Sequence, residues 1–247
     1  MPLTPSHAAA ALLLRRLSSR LPLAPLVIGT LSPDFEYLLR LAPRGRLAHS
    51  PAGLILFCLP ASLVVWVAYR AWVRPALLDL LPPALAAENG PRPTPLFAAG
   101  CAALLGAASH AAWDGFTHAS GFGVLFFSGL RGPVAPALAA DLRWYKLLQH
   151  GSTLVGGFAL LIAAFRFTRR LPPPARRFAP GQVQRVIRAS TAILGAAMLA
   201  GIINGSRGLA GGVANALGFA AVGGMLGFAL ALLVYSLREA SRVETPS

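Results

Sequence analysis

Five stretches of this chain, at 52–73, 96–118, 151–167, 188–206 and 213–236, each approach the length of a bilayer core almost without charge. A helix needs roughly 20 apolar residues to cross the ~30 Å of hydrocarbon, and only helices or closed barrels satisfy their backbone there. The spacing predicts an all-α, polytopic transmembrane helix bundle with about five spans. Composition agrees, because 12% charged residues is far below the roughly 25% of soluble domains. The length suits one membrane domain, 1–247, with a His- and Asp-bearing part at 1–155 and a C-terminal helix pair at 185–236.

The beginning of the chain is different. Residues 8–19 read as a short apolar helix capped by Ser6, and 21–31 are apolar again but broken by Pro22 and Pro25. Neither piece reaches spanning length, so together they predict a re-entrant or interfacial hairpin. No basic start precedes them, and the N-terminus reads as mature sequence. A proline-rich loop is expected from Pro75 to Pro95, and a long Gly-, Pro- and aromatic-rich loop over 119–149. Cys58 and Cys101 lie inside apolar stretches, form no CxxC pair and read as small core residues. In the last two spans, Gly201-x3-Gly205, Gly208-x3-Gly212 and Gly223-x3-Gly227 let helix backbones approach closely in lipid. Intramolecular packing is the simpler use of that spacing; a homo-oligomer face is the alternative.

The formal charge of +14 would suggest nucleic acid in a soluble protein. Here the basic residues, nearly all Arg, cluster at the ends of apolar runs, and no basic stripe interleaves with aromatics. Contact with an anionic lipid bilayer and fixing of topology explain them, and no nucleic-acid partner is expected. The basic run 166–188 predicts a cytoplasmic loop, which sets every other segment and leaves the C-terminus, with Arg238 and Arg242, cytoplasmic. His49, His118, His150 and Asp34 then share the outer side, with His110 two turns deeper. The inverted topology is the alternative.

Residues 109–118 read Ser-His-Ala-Ala-Trp-Asp-Gly-Phe-Thr-His. His110, Asp114 and His118 recur every four residues, so each drifts only ~40° around a helix and all share one face. The stripe is about 12 Å long, so one ion takes all three only if the helix ends near Gly115. Ionisable groups in a span cost several kcal/mol and persist with a partner or a role. Imidazole and carboxylate suit zinc or manganese, zinc first; a helix-end hydrogen-bond network without metal is the alternative. Asp34, after Pro33, stands where either a helix cap or a ligand would stand. Glu36 reads as a first-turn helix residue, His49 and His150 open spans, and His7 starts the first helix.

The opening Met-Pro-Leu-Thr-Pro-Ser-His-Ala-Ala-Ala, Ile-Gly-Thr-Leu-Ser-Pro-Asp-Phe-Glu-Tyr, Ala-His-Ser-Pro-Ala-Gly, the 109–118 segment and Leu-Gln-His-Gly-Ser resemble domain-of-unknown-function family 4184, a set of bacterial membrane proteins. That resemblance runs through residues 1–155 and more loosely to the end. The chain is also loosely similar to inner-membrane metal-dependent hydrolases, which carry an early His, a Pro-Asp, an Arg-x-x-Thr-His-Ser and a His-x3-Asp. The counterparts are His7, Pro33-Asp34, Arg46 to Ser50 and His110-x3-Asp114, with Ala48 where those proteins have Thr.

Together these readings lead to a membrane-embedded metal-dependent hydrolase in the bacterial inner membrane, acting on an ester or phosphoester, a lipid being one candidate, at the outer interface. His7, Asp34, His110, Asp114 and His118 are the expected ligands of a divalent metal. His49 and His150 are the expected acid/base residues, and Arg46 the holder of an anionic group. A non-catalytic assembly protein with a His/Asp cluster is one alternative. An ion-linked transporter is another, for which the last two spans offer Asn204 and Asn215 near the outer side but nothing polar at mid-depth.

Overall fold

A computed structural model describes residues 4–82, 93–135, 139–169 and 181–244. Residues 83–92 of the expected proline-rich loop and residues 170–180 of the basic run, with Arg92, Arg170, Arg176 and Arg177, lie outside the described residues. The chain is helical almost throughout. Helix α1 spans Thr4–Leu17, α2 Leu23–Leu31 and, after a 3-10 turn at Ser32–Asp34, α3 Phe35–Arg40. Helix α4 runs Pro51–Asp79, α5 Leu96–Thr117, and a short α6 covers Phe122–Phe126. Two short antiparallel strands, β1 Pro133–Ala135 and β2 Ala139–Arg143, follow. Helices α7 Trp144–Arg169, α8 Gln182–Ser206 and α9 Val213–Glu244 complete the chain.

Five helical segments are long and apolar enough to cross a membrane: Pro51–Asp79, Leu96–Phe126, Trp144–Phe167, Gln182–Ser206 and Val213–Ser241. The exposed side chains are what a bilayer solvates: Phe97, Leu154, Phe158, Leu161, Met198 and Ile202 are each more than half exposed. The protein is therefore a multi-pass, all-α membrane protein.

Several boundaries differ from the sequence expectation. Ser6 is not a cap, because α1 already begins at Thr4; its carbonyl instead lies where a Cβ on Gly156 would come within 2.8 Å, so a glycine lets α1 and α7 approach. Pro22 caps α2, and Pro25 falls in its first turn, where a missing N–H costs nothing. The expected loop 119–149 holds α6, the hairpin and the first turns of α7. Helix α4 continues to Asp79, through the start of the expected proline-rich loop, and includes π-helical turns at Leu54–Cys58 and Tyr69–Val73. Cys58 is buried as expected, while Cys101 is exposed on α5.

The described residues form two compact units. One contains residues from 1–35, 46–63 and 94–165. Its core is built from small residues: Ala11, Leu26 and Ala102 form one cluster, and Ala48, Cys58 and Ala107 another. Helices α2 and α5 cross backbone to backbone. A Cβ on Gly106 would lie 2.4 Å from the Leu26 carbonyl oxygen and 2.7 Å from the Thr30 nitrogen, and one on Gly29 would overlap the Ala103 carbonyl. Only glycine permits that separation.

The second unit contains residues from 36–45, 64–93 and 166–247, and α8 against α9 dominates it. The small-residue spacing serves this intramolecular contact: a Cβ on Gly223 would sit 2.4 Å from the Ala200 carbonyl, and one on Gly227 2.6 Å from the Ala200 Cβ. Asn204 and Asn215 are consumed by structure. Asn204 Nδ2 donates to the Phe219 and Leu41 carbonyls at 2.6 and 3.2 Å, and Asn215 Nδ2 to the Gly208 carbonyl at 2.9 Å. Leu41 has φ +51, the left-handed region, and the Asn204 bond holds this strained end of α3. Glu36 is buried and pairs with Arg40 at 2.8 Å, as a first-turn residue would.

Candidate metal centre

The site is assembled from the ends of short and long helices in the first unit. His7 comes from α1, Asp34 from the 3-10 turn after α2, His49 from the segment just before α4, and His110 and Asp114 from α5. Each position follows from local structure. Pro33 cannot donate a backbone hydrogen bond, so α2 gives way to a tight turn that carries Asp34 inward. Ser50 caps α4 through Gly53 N at 3.0 Å, which fixes the chain one residue from His49. His110 and Asp114 lie one turn apart on the buried face of α5.

The side chains converge. His110 Nε2 lies 3.4 Å from Asp114 Oδ2 and 3.7 Å from Asp34 Oδ1. His49 Nε2 stands 3.5 Å from the same Asp114 oxygen and 3.7 Å from the same Asp34 oxygen. These four atoms alternate nitrogen and oxygen around a small ring. His7 Nε2 is 3.6 Å from Asp114 Oδ1, and its imidazole stacks on that of His110 with centroids 3.8 Å apart. Two ligand trios result, His7–His110–Asp114 and Asp34–His49–His110, each with its donor atoms within 4.8 Å of one another.

The contacts behind these residues orient them. The Thr30 carbonyl, 2.7 Å from His110 Nδ1, can only accept, so Nδ1 carries a proton and Nε2 is the ring atom facing the carboxylates, the one a metal would take. Thr4 Oγ1 donates to Asp34 Oδ2, leaving Oδ1 for the imidazoles. Burial pushes the Asp34 carboxyl above the usual range, against the opposing pull of His110 and Thr4. Burial first, and then the neighbouring His110 imidazole, lower His7 to about 3, so it is neutral at physiological pH, the state in which imidazole ligates.

A divalent metal passes a test of fit here. His7 Nε2, Asp34 Oδ1, His110 Nε2 and Asp114 Oδ1 are all buried without a hydrogen-bond partner. Buried polar atoms of native proteins are almost always satisfied, and each orphan costs about 1–3 kcal/mol. His7 Nε2 faces Asp114 Oδ1 and His110 Nε2 faces Asp34 Oδ1, and His110 belongs to both trios, so one or two cations would satisfy these orphans. The spacing agrees: donors about 2.0–2.2 Å from a tetrahedral ion stand roughly 3.3–3.6 Å apart. Nitrogen and oxygen donors without sulfur fit zinc, and manganese next.

The remaining expected residues lie further out. Helix α5 ends at Thr117, and His118 adopts extended backbone (φ −120, ψ 140), so the stripe breaks two residues beyond Gly115. That turn brings His118 Nδ1 to 3.6 Å from Asp114 Oδ2, with 30% of its side chain exposed. His150 is exposed on α7, and Arg46 is exposed in the segment before His49. Beside His150 the buried Gln149 points inward, its Nε2 3.3 Å from His118 Nε2. Thr4, Thr30 and Gln149 are site residues with no sequence signal of their own, since hydroxyls, carbonyls and amides are common everywhere. Helix α7 begins at Trp144, earlier than expected, and presents Gln149 rather than His150 to the site.

No curated protein matches the chain, and no solved structure does. One family model, described as Domain of unknown function (DUF4184), matches residues 1–237.

Proposed function

The chain belongs to the DUF4184 family, and from its buried His/Asp cluster we propose a membrane-embedded metal-dependent hydrolase. Its substrate is an ester or phosphoester, of a lipid or similar amphiphile, at the membrane–water interface. One observation carries the reading: four buried, unsatisfied donor atoms, on His7, Asp34, His110 and Asp114, gather in two ligand trios that share His110, within a membrane helix bundle. Carrying so many buried ionisable groups costs several kcal/mol in a membrane protein unless they hold an ion or do chemistry.

His7, Asp34, His110 and Asp114 are the ligands, and His49 joins them, because it approaches both carboxylates as closely as His110 does. A bound divalent ion, zinc by this donor set, would polarise the substrate oxygen and supply a nucleophilic water near neutral pH. Asp34 and Asp114 balance its charge, and the Thr30 and Thr4 contacts hold His110 and Asp34 in their ligating orientation. The side chain of His49 is 18% exposed and that of His118 30%, against 0–2% for His110 and Asp34, so one side of the cluster is reachable. That asymmetry favours a working centre over a closed structural one. Arg46, exposed three residues before His49, is available to an anionic group, and His150 to a substrate approaching α7.

An aromatic cleft of about 740 Å³, lined by Phe116, Phe126, Phe127, Trp144 and Leu148, supports an apolar substrate portion. Phe116 belongs to the turn that carries Asp114 and His118, and Leu148 adjoins Gln149. By the charge distribution, the centre lies on the outer side of a bacterial inner membrane and the C-terminus is cytoplasmic.

Elemental analysis of protein purified in detergent without chelator, paired with hydrolysis of phospholipid substrates, tests the reading. About one or two ions per chain, and lipid hydrolysis lost with Asp114→Ala, are expected. Absence of metal would leave the cluster as a helix-tying polar network; metal without hydrolysis would leave a structural ion.

A further inference from the structure

His118 continues the His110–Asp114 stripe, yet its ring is engaged in a way the other imidazoles are not. Its Nδ1 lies 3.1 Å from the Asp114 carbonyl oxygen and 3.6 Å from Asp114 Oδ2. Thr117 Oγ1, 3.3 Å away, reaches the Trp113 carbonyl. A carbonyl and a carboxylate can only accept, so Nδ1 must carry hydrogen. On the far edge of the ring, Gln149 Nε2 stands 3.3 Å from His118 Nε2, and an amide nitrogen only donates. Nε2 therefore holds the lone pair, and that lone pair is directed at α7 and away from the carboxylates.

From this geometry we propose that His118 is a positioning residue of the metal centre, outside the ligand set, and that Gln149 fixes its tautomer. The ring ties two elements together. Its Nδ1–H completes the last turn of α5 at the carbonyl of Asp114 itself, while its Nε2 accepts from the buried amide on α7. Among the described residues, Asp114 is the one whose two carboxylate oxygens face different imidazoles, Oδ1 toward His7 and Oδ2 toward His49 and His110. Rotation of its helix turn would spoil both contacts at once, and the His118 clamp opposes that rotation. The two ligand trios found by geometry omit His118, although each of its neighbours on the stripe belongs to one.

This inference rests on the metal reading above, and two readouts separate their failures. The first is ¹⁵N NMR of histidine-labelled protein in detergent micelles, recorded without metal. His118 is expected to show a protonated Nδ1 and an unprotonated Nε2, and Gln149→Leu should shift its Nε2 signal while leaving Nδ1 protonated. Gln149→Asn, whose amide is too short to reach, should do the same and guards against misfolding of the leucine variant. The second readout is the visible spectrum of Co²⁺-loaded protein. His118→Ala should keep the band positions of the unaltered protein and weaken Co²⁺ binding by about 10–100-fold, the usual effect of losing an outer partner. His118→Asn, whose amide can stand in for Nδ1–H, should recover most of that loss, whereas His110→Ala should change the spectrum outright. A protonated Nε2 at His118, or a Co²⁺ spectrum altered by His118→Ala and not restored by asparagine, would overturn the proposal. If the unaltered protein takes up no Co²⁺, the metal reading fails while the tautomer experiment still decides the clamp.

Discussion

Asp34 illustrates how much of the site is decided by one oxygen. Thr4 satisfies Oδ2, and Oδ1 is left buried between two imidazoles. Asp34→Asn would keep an acceptor for Thr4 but remove the charge that attracts a cation. In metal-free protein the substitution relieves an unsatisfied buried carboxylate, worth about 1–3 kcal/mol. Thermal unfolding in chelator should therefore start at or above the unaltered Tm, while the rise in Tm on adding zinc disappears. A Tm rise with zinc equal to that of the unaltered protein would remove Asp34 from the ligand set. At this scale the sequence was informative wherever a residue type is rare in its setting. His110 and Asp114 stood out because ionisable groups seldom occur in apolar spans, and His49 because it shares their predicted side. Its place within the cluster was not legible, because the carboxylates it meets come from residues 34 and 114, and only the folded chain brings them to it.

Helices α2 and α5 determine whether His110 can reach the Thr30 carbonyl. Gly106 and Gly29 set that crossing, and a methyl at Gly106 would strike Thr30 N and the Leu26 carbonyl. Gly106→Ala should cost on the order of 1–3 kcal/mol by overpacking and should also weaken zinc binding, as the 2.7 Å bond to His110 lengthens. Gly100→Ala is the control on the same helix, since its Cβ would meet only Leu59 Cδ1 at 3.7 Å. Isothermal titration with zinc and thermal melts distinguish them; equal behaviour of the two variants would mean the crossing does not govern the site. Periodicity and length gave the long helices well. They could not reveal that two half-length helices, α1 and α2, are structurally central, because neither carries a spanning signal. The short strand pair and the early start of α7 were hidden for a similar reason. A Gly- and Pro-rich segment reads as loop until tertiary contacts fix it.

For the whole molecule, the distribution of arginine predicts that the two ends of α5 and α9 are reached from opposite sides of the membrane. In a Cys101→Ser background, Ser120→Cys should react with a membrane-impermeant maleimide in intact cells, and Ser241→Cys only after lysis. The reverse pattern would place the centre on the cytoplasmic face. Similar logic applies to the α8–α9 pair, whose glycines face each other within the chain. Gly223→Leu should lower thermal stability by several kcal/mol through overpacking at the Ala200 carbonyl, read as loss of the folded fraction in detergent. The fold class was legible at this scale because a bilayer demands one thing, internally satisfied backbone over a fixed thickness, and sequence records it directly. Two compact units were not legible, since nothing in composition changes sharply where residues 36–45 leave the first for the second.

His7 and Thr4 belong to α1, while their partners come later in the chain, Asp34 after α2 and His110 and Asp114 in the second half of α5. Nothing can close around an ion until the second long helix has been synthesised and threaded. If the cluster holds the proposed ion, its capture is therefore a checkpoint on insertion: a chain with α1 astray lacks an imidazole and the hydroxyl that steers Asp34. Any tag fused ahead of Thr4 loads that same helix, and would be felt first as a failure to hold the ion.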